Sequence, residues 1–222
     1  MSAGSSDFPP KTEADLREWV KKFVLTGDIS PEGMGRDDMT TTDRFVQLMK
    51  DEKLAERIGR FAPALLCEWT TETSPEITER LCYVAGYAPN DESVIPLLEM
   101  FQRTKRDHVI ILRVLGEYLE ISHVRDLMLA ELRKPSSPLA AEVCMNAVCR
   151  FAPEQAAQLF RGFLDFVRPD ALTISVIVED VPDADRAAFI AVVTQDERVR
   201  HALTEHPLTT RKRTRTRIAR RT

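Results

Sequence analysis

Residues 74–103 read SPEITERLCYVAGYAPNDESVIPLLEMFQR. Two amphipathic helices with a turn between them are written in that stretch. In the first half Ile77, Leu81, Val84, Ala85 and Ala88 recur at helical spacing, and in the second half Val94, Leu97, Leu98 and Phe101 do the same. Asn90 and Asp91 sit between the halves, where their side chains turn the chain and cap the second helix. The spacing predicts helices over Ser74–Ala88 and Asn90–Arg103.

The same pattern continues downstream. A second pair is predicted over Arg106–Leu119 and Ser122–Arg133, with Ser122 as a cap. Val109, Ile110, Ile111, Leu112, Val114 and Leu115 leave its first helix almost without a polar face, so it must be covered on several sides. Its partner helix presents Val124, Leu127, Met128 and Leu132. A third pair is predicted over Pro138–Phe151 and Pro153–Val167, each proline suiting a first helical position that needs no N–H. Pro135-Ser136-Ser137-Pro138 breaks the chain before it.

A motif recurs near the end of each first helix. It reads Ile58-Gly59-Arg60-Phe61-Ala62-Pro63, Ala85-Gly86-Tyr87-Ala88-Pro89, Leu115-Gly116-Glu117-Tyr118 and Cys149-Arg150-Phe151-Ala152-Pro153. Positions 59, 86, 116 and 150 are separated by 27, 30 and 34 residues. Periods of this size belong to stacked helical hairpins, where a small residue lets two helices cross closely.

From Leu54 to Val193 the chain resembles the HEAT-like repeat family. The apolar-Gly pairs and second helices of the Val94-Ile95-Pro96-Leu97-Leu98 type carry the resemblance. It departs where many HEAT repeats have an early Arg, since Thr78, His108 and Glu142 stand there, and Arg150 replaces the small residue of the last copy. The resemblance implies an all-α fold, an α-solenoid of about four to five HEAT-like hairpins with an extra N-terminal helical segment. In such a stack the second helices line one face, a common binding surface.

The remaining chain is organised around that stack. Residues 1–11 read as a disordered leader, 12–73 as N-terminal helices and a degenerate first repeat, 74–205 as the repeats, and 206–222 as a basic disordered tail. Thr12 caps a helix to Leu25 whose stripe is Leu16, Trp19, Val20, Phe23 and Val24. Thr26–Thr40 is a long loop. A helix over Thr42–Lys50, capped by Thr41 or Thr42, leads to Asp51–Trp69, interrupted at Pro63. Residues 172–178 have the β-branched content of a strand, but an isolated strand has no partner, so they are read as helix. A helix over Pro182–Val193 would turn Ala187, Ala188 and Ala191 inward, and Asp196–Glu205 is the last.

Composition narrows the function. No apolar run approaches the roughly 20 residues of a membrane span, and Met1–Ser6 lacks a signal-peptide pattern, so a cytoplasmic protein is expected. Cys67, Cys82, Cys144 and Cys149 fall among core-facing positions and read as reduced, buried thiols. His108, His123, His201 and His206 show no metal-ligand spacing. Asp28, Glu32, Asp37 and Asp38 lack the order of a calcium loop. No nucleophile elbow, phosphate loop or dinucleotide fingerprint is present. No catalytic residue, metal or cofactor is therefore expected.

The net charge of −4 is unevenly spread. Arg211, Lys212, Arg213, Arg215, Arg217, Arg220 and Arg221 are seven of the 31 basic residues, leaving 24 against 35 acidic ones, or −11, for residues 1–210. Such a tail could be an inert solvated segment, bind nucleic acid or anionic lipid weakly, dock on an acidic protein surface, or address the chain to a nucleus. The expected function is a non-enzymatic protein–protein interaction module with an unidentified protein partner. Glu92, Glu99, Arg103, Arg125, Asp126 and Arg161 are its candidate contacts because they lie off the buried stripes. The alternative is a nucleic-acid-associated protein that uses the tail.

Overall fold

The structure, a computed structural model, describes residues 10–28, 41–69, 74–104 and 108–208, with side chains from residue 44 onward in the second segment. The readings placed on the leader, on most of the Thr26–Thr40 loop, on the capping by Thr41 or Thr42 and on the basic tail fall outside the described residues. Within them the chain forms thirteen α-helices, one short 3-10 turn and no strand. It divides into two compact units, which meet in sequence at Glu117 and Tyr118.

The first unit contains α1 (Glu13–Thr26), α2 (Thr41–Leu48), α3 (Glu52–Gly59), α4 (Ala62–Glu68), α5 (Pro75–Tyr87), the 3-10 turn Asp91–Ser93, α6 (Val94–Arg103) and α7 (His108–Leu115). Thr12 Oγ1 accepts the Asp15 N–H at 3.1 Å and opens α1. Gly27, at φ 74°, closes it by donating its N–H to Phe23 O at 2.8 Å. Arg80 of α5 also donates to the last carbonyls of α1, those of Val24 at 3.0 Å and Leu25 at 3.2 Å. Buried Leu16, Val20 and Phe23 anchor α1, and Phe23 stacks on Phe45 of α2 at 4.4 Å.

The second unit contains α8 (Ser122–Arg133), α9 (Pro138–Phe151), α10 (Pro153–Val167), α11 (Ala171–Glu179), α12 (Asp183–Val193) and α13 (Glu197–Glu205). Ser137 caps α9 by accepting the Ala140 N–H, with Pro138 in the first turn. Asp170 and Asp196 cap α11 and α13 in the same way, from Thr173 and Arg198. Residues 172–178 are therefore helical. Of their β-branched side chains Ile174, Ile177 and Val178 are buried, while Thr173 and Val176 are half-buried.

Several boundaries differ from expectation. The break before α4 lies at Arg60–Phe61. Pro63 is inside the first turn, where its missing N–H leaves nothing unpaired. Helix α7 stops at Leu115 and not Leu119: Gly116 and Glu117 donate to Leu112 and Val114, and the chain turns so that Tyr118 is fully buried. Ser122 is the first helical residue of α8; Ile121 precedes it with no side-chain cap bond. Asn90 caps the 3-10 turn by accepting the Glu92 N–H at 3.0 Å, and α6 begins only at Val94. Ala187, Ala188 and Ala191 are exposed, because Phe189 and Val193 turn α12 by removing more apolar area from water than methyl groups do.

Within each unit, packing follows chain order. A helix meets its neighbour or the next but one: α3–α4, α4–α5 and α6–α7 with α3–α5, α4–α6 and α5–α7, then α8–α9, α9–α10 and α11–α12 with α8–α10, α9–α11, α10–α12 and α11–α13. Helix α5 carries α1 and α2 as well. The recurring motif sits at these crossings. A β-carbon at Gly59 would lie 3.3 Å from the Ala88 carbonyl oxygen and 3.4 Å from that of Pro89. Asn90 Nδ2 donates to Gly59 O at 2.8 Å. A β-carbon at Gly86 would lie 3.4 Å from the Val114 side chain. Each of these two motif copies thus touches the next copy or its immediate approach.

Candidate interaction surfaces

The face of α6 is set by its buried side. Val94, Pro96, Leu97 and Met100 turn inward, which brings Ile95, Glu99 and Arg103 outward in line with Glu92 of the preceding turn. Ile95 is 69% exposed, the most of any large apolar side chain described. Three of the sequence-predicted contacts, Glu92, Glu99 and Arg103, therefore share one exposed face in the first unit. The other three belong to the second unit. Asp126 of α8 and Arg161 of α10 are exposed, whereas Arg125 of α8 is half-buried.

The second unit also holds a feature that sequence reasoning missed. Leu164, Asp165, Arg168, Pro169, Ile174 and Arg198 line a cleft of about 580 Å³ in the second unit. Leu164 and Ile174 are buried beneath it, and half-buried Pro169 is its accessible apolar residue. Helix α10 ends on Arg168 in the left-handed region, φ 50° and ψ 54°, with its N–H on Leu164 O at 3.1 Å. Glycine normally takes that place, and a residue before proline favours extended backbone. Arg168 is the one non-glycine residue with positive φ among those described.

The cations of the cleft are in different states. Arg198 Nη1 donates to Asp165 at 2.9 Å, while Nε and Nη2 hold the two Asp196 oxygens at 3.0 and 2.7 Å. This fork, the backbone N–H of Arg198 and the nearby charge of Arg161 push Asp196 down to about 2, against the opposing effect of burial. The same hydrogen bonds push Arg198 up. By contrast, no hydrogen bond or ion pair joins the Arg168 side chain to any described residue. Phe166 and Leu172 flank it in sequence at 47% and 56% exposure. The available signal was Phe-Val-Arg-Pro-Asp at residues 166–170, a helix stop without glycine. The approach of Arg198 to Asp165 left no trace in the sequence.

The thiols also sort by place. Cys82, Cys144 and Cys149 are buried, and burial pushes the Cys144 and Cys149 thiols far up, with Glu131 and Asp180 adding to it respectively. Cys67 is exposed, contrary to its expected core position, because Leu65 and Leu66 take the inner side of α4. Among the described residues no group of three or more His, Cys, Asp or Glu is arranged to hold a metal ion. No described helix is long and apolar enough to cross a membrane. No protein-family model, curated protein or solved structure matches the chain.

Proposed function

We propose that the chain is a non-enzymatic protein–protein interaction module, a HEAT-like α-solenoid whose outward helix faces bind another protein. The observation that carries this reading is the α6 face, where exposed Ile95 stands among Glu92, Glu99 and Arg103. An apolar anchor flanked by charges of both signs gives a partner buried area and a fixed orientation. Two features support the solenoid reading. From α3 onward the helices of each unit pack on their neighbours or on the next but one, and Gly59 and Gly86 lie against the next motif copy or the residue before it.

The test begins with affinity capture on the full chain, followed by reconstitution with the purified partner. The expected result is a stoichiometric complex that Ile95→Asp weakens about tenfold or more, with melting unchanged because position 95 is exposed. A complex indifferent to Ile95→Asp, or none at all, overturns the reading.

A second reading rests on the seven cations within Arg211–Arg221. There the tail binds nucleic acid or anionic lipid loosely, with affinity falling steeply as salt rises. Deleting residues 211–222 would abolish that binding. Tight binding that survives the deletion would exclude the tail as its source.

A further inference from the structure

We infer that the α10–α11–α13 cleft is a second docking site, for an acidic segment of a partner protein that carries an apolar residue beside its carboxylate. The inference rests on the interaction-module reading but concerns a surface other than the α6 face. Three observations converge on it. The first is shape: the cleft has about 580 Å³ of space, with half-buried Pro169 as its accessible apolar residue and Leu164 and Ile174 buried beneath. The second is charge. Arg198 is held by two carboxylates, so its charge is already answered, whereas Arg168 has no described partner. A guanidinium without a carboxylate beside it supplies a forked donor to an incoming one.

The third is backbone. A left-handed, non-glycine residue before proline is disfavoured, yet it is what turns Arg168 out of the α10 helix and sets it at the cleft. Glycine would end the helix more easily and would offer no cation. A peptide carboxylate on Arg168, with the neighbouring apolar side chain against Pro169, uses both the charge and the cleft. A free anion would use only the charge.

The experiment titrates the isotope-labelled full chain with N-acetyl-Glu-Leu-Phe-Glu amide and follows backbone amide shifts by NMR. The expected result is saturable shifts over residues 164–174 and at Arg198, with affinity in the range of about 0.1–10 mM for so short a probe. Arg168→Gly should keep the fold, since glycine favours the left-handed turn, and should weaken binding about tenfold. Arg168→Lys, which keeps the charge but not the fork, should fall between the wild type and the glycine variant. The proposal is overturned by no saturable shifts, by shifts centred elsewhere, by equal affinity for the Gln-Leu-Phe-Gln analogue or for acetate, or by an indifferent Arg168→Gly variant. Loss of the cleft result while the Ile95-dependent complex persists removes only this site. Loss of that complex while the peptide still binds removes only the α6 reading.

Discussion

Gly59 in the first unit and Arg150 in the second hold equivalent places in the recurring motif, yet their surroundings differ. Gly59 lies under the backbone oxygens of Ala88 and Pro89, and no side chain fits there without moving the main chain. Arg150 is half-buried near the end of α9, where a long side chain has room. Helix α9 buries Ala140, Ala141 and Ala147 instead, and α10 buries Ala156. Close helix approach can thus be obtained by glycine, where backbone meets backbone, or by alanines, which keep full helix propensity. The first unit uses both, burying Ala55, Ala62 and Ala85 beside its glycines, whereas the second relies on alanines, so the motif weakens toward the C-terminus without the helices ceasing to pack.

The contrast can be broken most directly at Gly59. Gly59→Leu should cost about 3 kcal/mol by overpacking, read from urea unfolding. A loss within about 0.5 kcal/mol would mean that the Ala88–Pro89 turn yields freely and that the crossing is not tight. Arg150→Gly should cost about 1 kcal/mol, chiefly through helix propensity; a gain in stability would show that the second unit also favours a close crossing there. Gly162→Ala serves as the control, since a β-carbon would meet nothing within 4 Å. It should stabilise α10 by about 0.5–1 kcal/mol.

Asp196→Asn keeps the helix cap, because asparagine caps nearly as well as aspartate, but loses the charged fork with Arg198. Its signature lies in acid. The folded value of about 2 is below the ordinary 3.8, so the carboxylate's stabilisation is complete above pH 3.8 and is lost as pH falls through about 2. Amide exchange in α13, measured across that window, should lose this acid dependence in the variant. An unchanged dependence would place its origin in other carboxylates.

Legibility followed local chemistry. The bounds of α9 and α10 were readable because Pro138 and Pro153 announce helix starts, and Thr12 announced α1. The end of α7 was not, since Tyr118 lies in a turn whose burial comes from packing and which its apolar sequence disguises as helix. The orientation of α12 was misread because three alanines make a tidy stripe, whereas Phe189 and Val193 have the greater drive to burial. Of the candidate contacts, Glu92, Glu99 and Arg103 could be gathered from helical spacing alone. The cleft could not. It depends on a left-handed residue and on Asp165 meeting Arg198 from another helix, and periodicity encodes neither.

The bond from Arg80 to the end of α1 has a consequence for the order of assembly. Most helix contacts in the first unit join elements close in sequence, which a growing chain can form soon after each is made. Helix α1 is different: its last carbonyls wait for a guanidinium 56 residues further on, and its apolar stripe is completed by that same distant helix, α5. Closing a loop of that length is slower than zipping neighbours together. Helix α1 is thus fully locked only once α5 has formed, and until then the stripe of Leu16, Val20 and Phe23 has only α2 and α3 to cover it.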